Sequence, residues 1–476
     1  MSFPRTYELL INGAGVPGAA YFDVINPATE ESIGRAPEAT RAQLDEAVAA
    51  ARKAFPAWKA TPVSERQAKL TAMADLITAH IDELKQLLTA EQGKTLADAE
   101  GDILGGVSSC RQYATLAPPV EVHEDSPRRR SATYRVPLGV VCAIAPWNYP
   151  ISIAMWKLAP SLVAGNCVVL KPSPFTPLTT LRIAELVRDL FPQGVLNVLS
   201  GGDALGPWMT SHPGFDKVSF TGSTATGRRV MASAAPTLKR LTLELGGNDA
   251  AIVLPGIDIQ RTAEQVFRAA FNNSGQSCVA TKRVYVHTGI YERFSAALVE
   301  LGKRAKIGDG SQQGTDYGPI QNRQQYERVK ELIADCRAKG YRFLLGENTK
   351  MPAKGYFIPL TIIDNPPEDS RIVREEQFGP VLPLLRFEDI EEAVRKANDT
   401  DYGLGGSVWG PPEQAEAIAL RLDTGMVWVN EYGAMATGQP FGGRKQSGIG
   451  VENGMAGLLE FTGVHTVVTA KKIGAT

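Results

Sequence analysis

The chain has 476 residues, 50 lysines and arginines against 51 aspartates and glutamates, and a formal net charge of -1. That length supports more than one hydrophobic core, and the charge balance excludes nucleic acid as a main partner, because neutralising phosphates needs a basic surplus. The five cysteines (Cys110, Cys142, Cys167, Cys278 and Cys336) are scattered, with no CxxC or Cys/His ligand spacing, which argues against a disulfide framework and a metal centre.

Met1-Ser2-Phe3-Pro4-Arg5 has no apolar core like that of a signal peptide. No apolar run reaches the roughly 18 residues of a membrane span. A soluble cytoplasmic protein with no membrane partner is the expectation. Taken in order, Tyr7–Ile11, the Gly13 to Gly18 region and Tyr21–Val24 read as short strands and turns. Thr40-x-x-Gln43 and Ser64-x-x-Gln67 read as capping boxes opening two amphipathic helices. Further helices are predicted over 84–91 and 96–115. The segment 120–136, with Pro127 and Arg128-Arg129-Arg130, reads as a projecting hairpin whose arginines sit in a solvated turn. The β-branched stretch 461–470 is suited to pair with it or with another subunit. From 138, apolar strands (139–145, 166–171, 195–199, 217–221, 240–245) alternate with helices, which predicts a parallel sheet with right-handed crossovers. A second alternating region follows a break near Gly246-Gly247, with strands near 250–254, 283–287, 380–386, 405–409 and 426–429. The fold class expected is α/β: a Rossmann-like unit (1–119 and 138–246), a second parallel-sheet unit (247–446), and a small β segment for oligomerisation (120–137 and 456–476).

Four strand ends and one loop carry the chemistry. Strand 217–221 runs into Gly222-Ser223-Thr224-Ala225-Thr226-Gly227 and a helix, where close backbone approach and free N–H groups suit a phosphate. A plain strand–helix turn explains that motif about equally well. Lys171-Pro172-Ser173-Pro174 places a lysine able to bond ribose hydroxyls at a neighbouring strand end. Pro146-Trp147-Asn148-Tyr149-Pro150 fixes a loop and leaves an amide donor. Leu243-Glu244-Leu245-Gly246-Gly247 delivers a carboxylate, either a paired structural acid or a general base with a raised pKa. Phe271-Asn272-Asn273-Ser274-Gly275-Gln276-Ser277-Cys278 sets one thiol in a polar, turn-forming run. Alone, that stretch favours an inert buried cysteine over a nucleophile.

These motifs, with Glu376-Gln377-Phe378-Gly379-Pro380 and Pro440-Phe441-Gly442-Gly443, together resemble the aldehyde dehydrogenase superfamily, in its order and spacing over nearly the whole chain. The resemblance implies Cys278 as nucleophile, Asn148 and the Cys278 backbone N–H as oxyanion donors, and Glu244 as base for hydrolysis of a thioester. It implies an NAD-binding set of Ile144, Pro146, Trp147, Lys171, Ser173, Gly202, Gly206, Thr221, Gly222, Ser223, Leu245, Glu376 and Phe378. Gly105, Tyr149, Ile153, Trp156, Asn272, Ser277, Val279, Gly433, Met435 and Phe441 resemble the substrate pocket. Glu452 matches a proton-relay acid and reads equally as a surface acid. The pocket set holds no cation, and Gly105 and Gly433 are small, so a roomy apolar pocket for an aromatic or medium-chain aldehyde is expected. Keeping Glu244 argues against a CoA-acylating reaction. Pro174 stands where many NAD-preferring relatives carry Glu, which leaves NADP open. A semialdehyde dehydrogenase and a non-catalytic NAD-binding protein of the same fold are the alternatives. The resemblance also implies a homodimer or homotetramer.

Overall fold

The computed structural model describes residues 6–436 and 438–471. Two large sheets meet across a cleft, and the chain passes between them at Gly246-Gly247, after the strand Arg240–Glu244 and before Asp249–Val253. The first sheet has five parallel strands in the spatial order Leu196–Val198, Cys167–Lys171, Val140–Ile144, Lys217–Thr221, Arg240–Glu244. Val140–Ile144 comes first in the chain and lies in the middle. The order therefore reverses between Val140–Ile144 and Lys217–Thr221, and such a switch point opens a crevice at the strands' carboxyl ends. This sheet is not purely parallel. Leu9–Ile11 with Ala14–Val16 at one edge and Gly448–Ile449 at the other pair antiparallel.

The second sheet runs Arg342–Leu345, Thr361–Asp364, Val381–Phe387, Thr281–His287, Asp249–Val253, Gly406–Trp409, Trp428–Val429, with only Arg342–Leu345 antiparallel to its neighbour. The strands Arg342–Leu345 and Thr361–Asp364 were not expected. After its excursion through the second sheet the chain returns to the first, where Leu458 and Phe461 are buried in that sheet's core.

The hairpin Val120–Asp125 and Arg129–Pro137 pairs in full register with Thr462–Ala470, in the same chain. Arg129 and Arg130 belong to a strand, bonded to Glu124 and Tyr134, and not to the turn. Residues 472–476 of the expected oligomerisation segment lie outside the described residues. Among the helices, Thr40 and Gln43 form the capping box expected at Arg41–Ala60. The second box does not form. The helix Val63–Ala79 starts one residue before Ser64, with Pro62 at the cap and no side-chain bond, because proline's fixed φ suits a helix start and brings the first turn forward.

Candidate active site

Cys278 follows a turn that only a few residue types tolerate. Asn273, Ser274 and Gly275 have φ of 50, 55 and 73°, and Asn and Gly enter this left-handed region at least cost. Gly275 is required twice over, since a Cβ there would stand 2.3 Å from the Gly379 carbonyl oxygen. The turn is then tied down by side chains. Gln276 donates to the carbonyls of Asn273 (2.9 Å) and Pro319 (3.3 Å) and accepts the Gln321 N–H (2.8 Å). Ser274 Oγ donates to the Gly318 carbonyl at 2.7 Å.

Facing it is the loop after Val140–Ile144. Asn148 is buried, and its Nδ2 donates to the Gln276 carbonyl at 3.2 Å. That bond uses one N–H and points the amide at the Cys278 turn, leaving the second N–H to donate elsewhere. The Asn148 carbonyl is held by Lys94 Nζ at 2.9 Å and Asn273 Nδ2 at 3.1 Å. Lys94 is itself fully buried against Asp102 at 3.0 Å and lies 4.1 Å from the centre of the Tyr149 ring. Asp102 completes the brace by accepting the Ser152 N–H at 2.8 Å.

Glu244 ends its strand buried, and among the described residues neither carboxylate oxygen has a hydrogen-bond partner. Burial pushes its pKa up to about 7, against the lowering effects of the adjacent Cys278 thiol and of Lys157. The thiol lies close enough to bias the carboxylate without completing a well-formed bond. Cys278 is half-buried, and its own pKa is raised, first by desolvation and then by the Glu244 charge. Burial raises both members of the pair, the thiol and the carboxylate. Glu452 is no surface acid. It is buried on Lys157 Nζ at 2.9 Å, with Ser219 Oγ at 3.5 Å.

A cleft of about 390 Å³ opens over the switch point, lined by Pro146, Trp147, Asn148, Thr221, Gly222, Ser223, Glu244, Leu245, Cys278, Glu376 and Phe378. Gln325, Arg328, Gly246 and Tyr402 also line it and were not anticipated. The helix Thr224–Ala234 points its N-terminus into this cleft. Its cap Ser223 takes the Thr226 N–H at 3.2 Å, and Thr224 and Ala225 line the opening. Unpaired first-turn N–H groups there suit a phosphate. Glu376 Oε1 accepts the Gly247 N–H at 3.0 Å, and Phe378 stands edge-on to Trp147 with centroids 5.3 Å apart. Ile144, Lys171, Ser173, Gly202 and Gly206 do not line the cleft itself; Ile144 and Lys171 end neighbouring strands. Lys171 is buried, its pKa lowered to about 8 by desolvation against the opposing charge of Asp203.

On the other side of Cys278, Asn272 Nδ2 donates to Tyr149 Oη at 3.2 Å, and Trp156 packs on Phe441 with centroids 5.5 Å apart. Cys278, Val279 and Trp156 join an apolar cluster with Leu404, Met426, Trp428, Phe441 and Tyr432. Trp428 and Tyr432 were not expected at the site, although Trp428 lies within the predicted strand 426–429 and Tyr432 just beyond it. At Gly105 a Cβ would stand 2.6 Å from Ser152 Oγ. Its small size therefore serves helix contact as much as pocket volume. Gly433 has open space around it. Among the described residues no cluster suits a metal ion, and no helix is long and apolar enough to cross a membrane.

The fold and the cleft define an α/β protein with a ligand crevice at a switch point, lined in part by a thiol, a carboxylate and an amide. Residues 16–467 match the model of the aldehyde dehydrogenase family. A probable aldehyde dehydrogenase from Pseudomonas sp. is 45% identical over 471 residues, 98% of this chain and 96% of the relative. The NAD+ complex of aldehyde dehydrogenase from Bacillus cereus superposes with a TM-score of 0.95 at 36% identity, covering 98% of this chain and 97% of that one. Betaine aldehyde dehydrogenase from Staphylococcus aureus, also solved with NAD+, gives 0.94 at 33% identity, covering 98% and 96%. The chain belongs to the aldehyde dehydrogenase family and is an aldehyde-oxidising enzyme.

Proposed function

We propose that this enzyme oxidises an apolar aldehyde, aromatic or of medium chain length, to the carboxylic acid with NAD+ through a covalent intermediate on Cys278. The supporting observation is that Cys278, Asn148 and Glu244, from three separate strand ends and loops, converge on one cleft. Glu244 takes the thiol proton as sulfur adds to the aldehyde carbon. The Asn148 amide and the Cys278 N–H stabilise the resulting oxyanion, each donor being worth about 3–4 kcal/mol of barrier. Bound NAD+ would supply the hydride acceptor, and residues lining the cleft fit it: first-turn N–H groups at Thr224–Ala225 for a phosphate and Glu376 for a ribose, with Lys171 outside the lining at the neighbouring strand end. Cys278 then carries a thioester, and Glu244, once it has released the thiol proton to solvent, deprotonates the attacking water. With a pKa near the working pH it can do both tasks.

The apolar reading rests on the Trp156–Phe441–Val279 wall and on the absence of a cation among the residues proposed to contact substrate. A panel of benzaldehyde, hexanal and succinate semialdehyde, each with NAD+ and NADP+, tests it. Preference for the aromatic or medium-chain aldehyde with NAD+ is expected. Strong preference for succinate semialdehyde would overturn the substrate, and a hundredfold preference for NADP+ would overturn the cofactor.

A further inference from the structure

We propose that Lys282, four residues after the nucleophile, is a positioning residue that aims the Cys278 backbone N–H at the oxyanion and ties the nucleophile turn to the ribose carboxylate Glu376. The inference rests on the reading of Cys278 as the nucleophile. Lys282 lies in the strand Thr281–His287 with its ammonium buried. Its Nζ donates to the Ser277 carbonyl at 3.0 Å and to the Cys278 carbonyl at 2.6 Å, and sits 3.4 Å from Glu376 Oε1. An ammonium has three donors; two are hydrogen-bonded to these carbonyls, and Glu376 is an ion-pair contact.

The consequence comes from peptide geometry. The Ser277 C=O and the Cys278 N–H belong to one planar trans unit and point in opposite directions. Pinning the carbonyl toward Lys282, with help from the Ala280 N–H at 3.2 Å, directs the N–H away from Lys282 and toward the thiol side. The Cys278 carbonyl is anchored on the same nitrogen, so the two peptide planes flanking the nucleophile cannot rotate independently. Glu376, which also accepts the Gly247 N–H, completes a link from the cofactor side of the cleft to the turn.

A buried cation needs nearby negative charge. Glu376 supplies one contact, and Asp249, buried in the adjoining strand, acts on the same ammonium through space. The charged and titratable groups acting on Cys278 are Glu244, Asp249 and Lys282, with Tyr149 and Tyr432 close by. Of these Lys282 is the one that favours the thiolate.

The test is the pH dependence of Cys278 alkylation by iodoacetamide in the cofactor-free enzyme, comparing wild type with Lys282→Met and Lys282→Arg. Lys282→Met should shift the alkylation midpoint upward by about one pH unit, near tenfold slower at a fixed pH, and lower kcat at least tenfold. Lys282→Arg keeps the charge with the wrong reach. It should hold the midpoint and still lose kcat, and it decides the matter alone if Lys282→Met does not fold. An unmoved alkylation profile in Lys282→Met, or an unchanged kcat in Lys282→Arg, overturns the proposal. Cys278→Ala is the separate control. Retained aldehyde oxidation there would defeat the nucleophile reading itself, whatever Lys282 does.

Discussion

The two walls of the cleft are built by different means. The first-sheet wall is made of strand ends: Pro146-Trp147-Asn148, Thr221-Gly222-Ser223 and Glu244-Leu245 each follow directly from a buried parallel strand. Its recognition groups are backbone N–H groups and short polar side chains whose positions the sheet dictates. The second-sheet wall carries Cys278, Lys282, Asp249 and Glu376, and it is held by buried charge and side-chain bonds to backbone carbonyls. The first wall is therefore suited to hold a large ligand of fixed shape, and the second to tune one reactive atom. Substitutions around Cys278 on the second wall should strike chemistry, and those on the first should strike binding, apart from Glu244 and Asn148, whose side chains reach the thiol and its turn.

The sharpest way to break that contrast is Cys278→Ala, expected to abolish aldehyde oxidation while leaving NAD+ binding, measured by fluorescence titration, within about twofold. Glu244→Gln comes next, with kcat falling by about 10²–10⁴. Rapid-mixing kinetics should also lose the fast burst of NADH, since Glu244 accepts the thiol proton before the thioester can form. Asn148 belongs to the first wall by position and to the second by contact, through its bond to the Gln276 carbonyl. Asn148→Ala should cost about 10²–10³ in kcat with little change in KM for NAD+. A pure KM effect would move Asn148 to the binding wall.

The walls also differ in how far they could be read from residues alone. Strand ends with Gly, Pro and Lys announce themselves locally, and the predicted strand 217–221 coincides with the observed one. The thiol loop gave no such signal; Cys278 became readable only through the ordered motifs around it. Lys282 was not legible at all, because a lysine at the start of an apolar strand is ordinarily exposed, and its burial follows from how Glu376 and the 277–278 carbonyls converge in space. The strands Arg342–Leu345 and Thr361–Asp364 were lost because they are four-residue segments near one edge of the sheet, too short for alternation to stand out. Ser64 misled because its motif lacked the backbone position a cap needs.

Acidity offers a subtler comparison. Glu244, Asp249 and Glu91 are buried, and desolvation raises each to about 7 from ordinary values of 4.5, 3.8 and 4.5. Between about pH 4 and 7 these three groups keep protons in the folded protein that the unfolded chain has released, so their contribution to stability falls as pH rises through this window and levels off above it. Glu244→Gln should flatten part of that slope in denaturant titrations across this window. It should also remove a rise in turnover with pH near 7, because only the carboxylate accepts the proton from water. A slope unchanged by the substitution would mean that Glu244 ionises at its ordinary value.

The mildest test lies on the binding wall. Ser223 caps the helix Thr224–Ala234 through its bond from the Thr226 N–H, and a lost cap of this kind costs about 1 kcal/mol. In a chain this large, Ser223→Ala should lower Tm by only about 1–2 °C. The same change frees the Thr226 N–H and loosens the turn that presents Thr224 and Ala225 to the cleft. KM for NAD+ should therefore rise about three- to tenfold, with kcat at saturation unchanged. A fall in kcat at saturating NAD+, or a slower alkylation of Cys278, would show that the helix terminus reaches the reacting atoms and that the two walls are not separable.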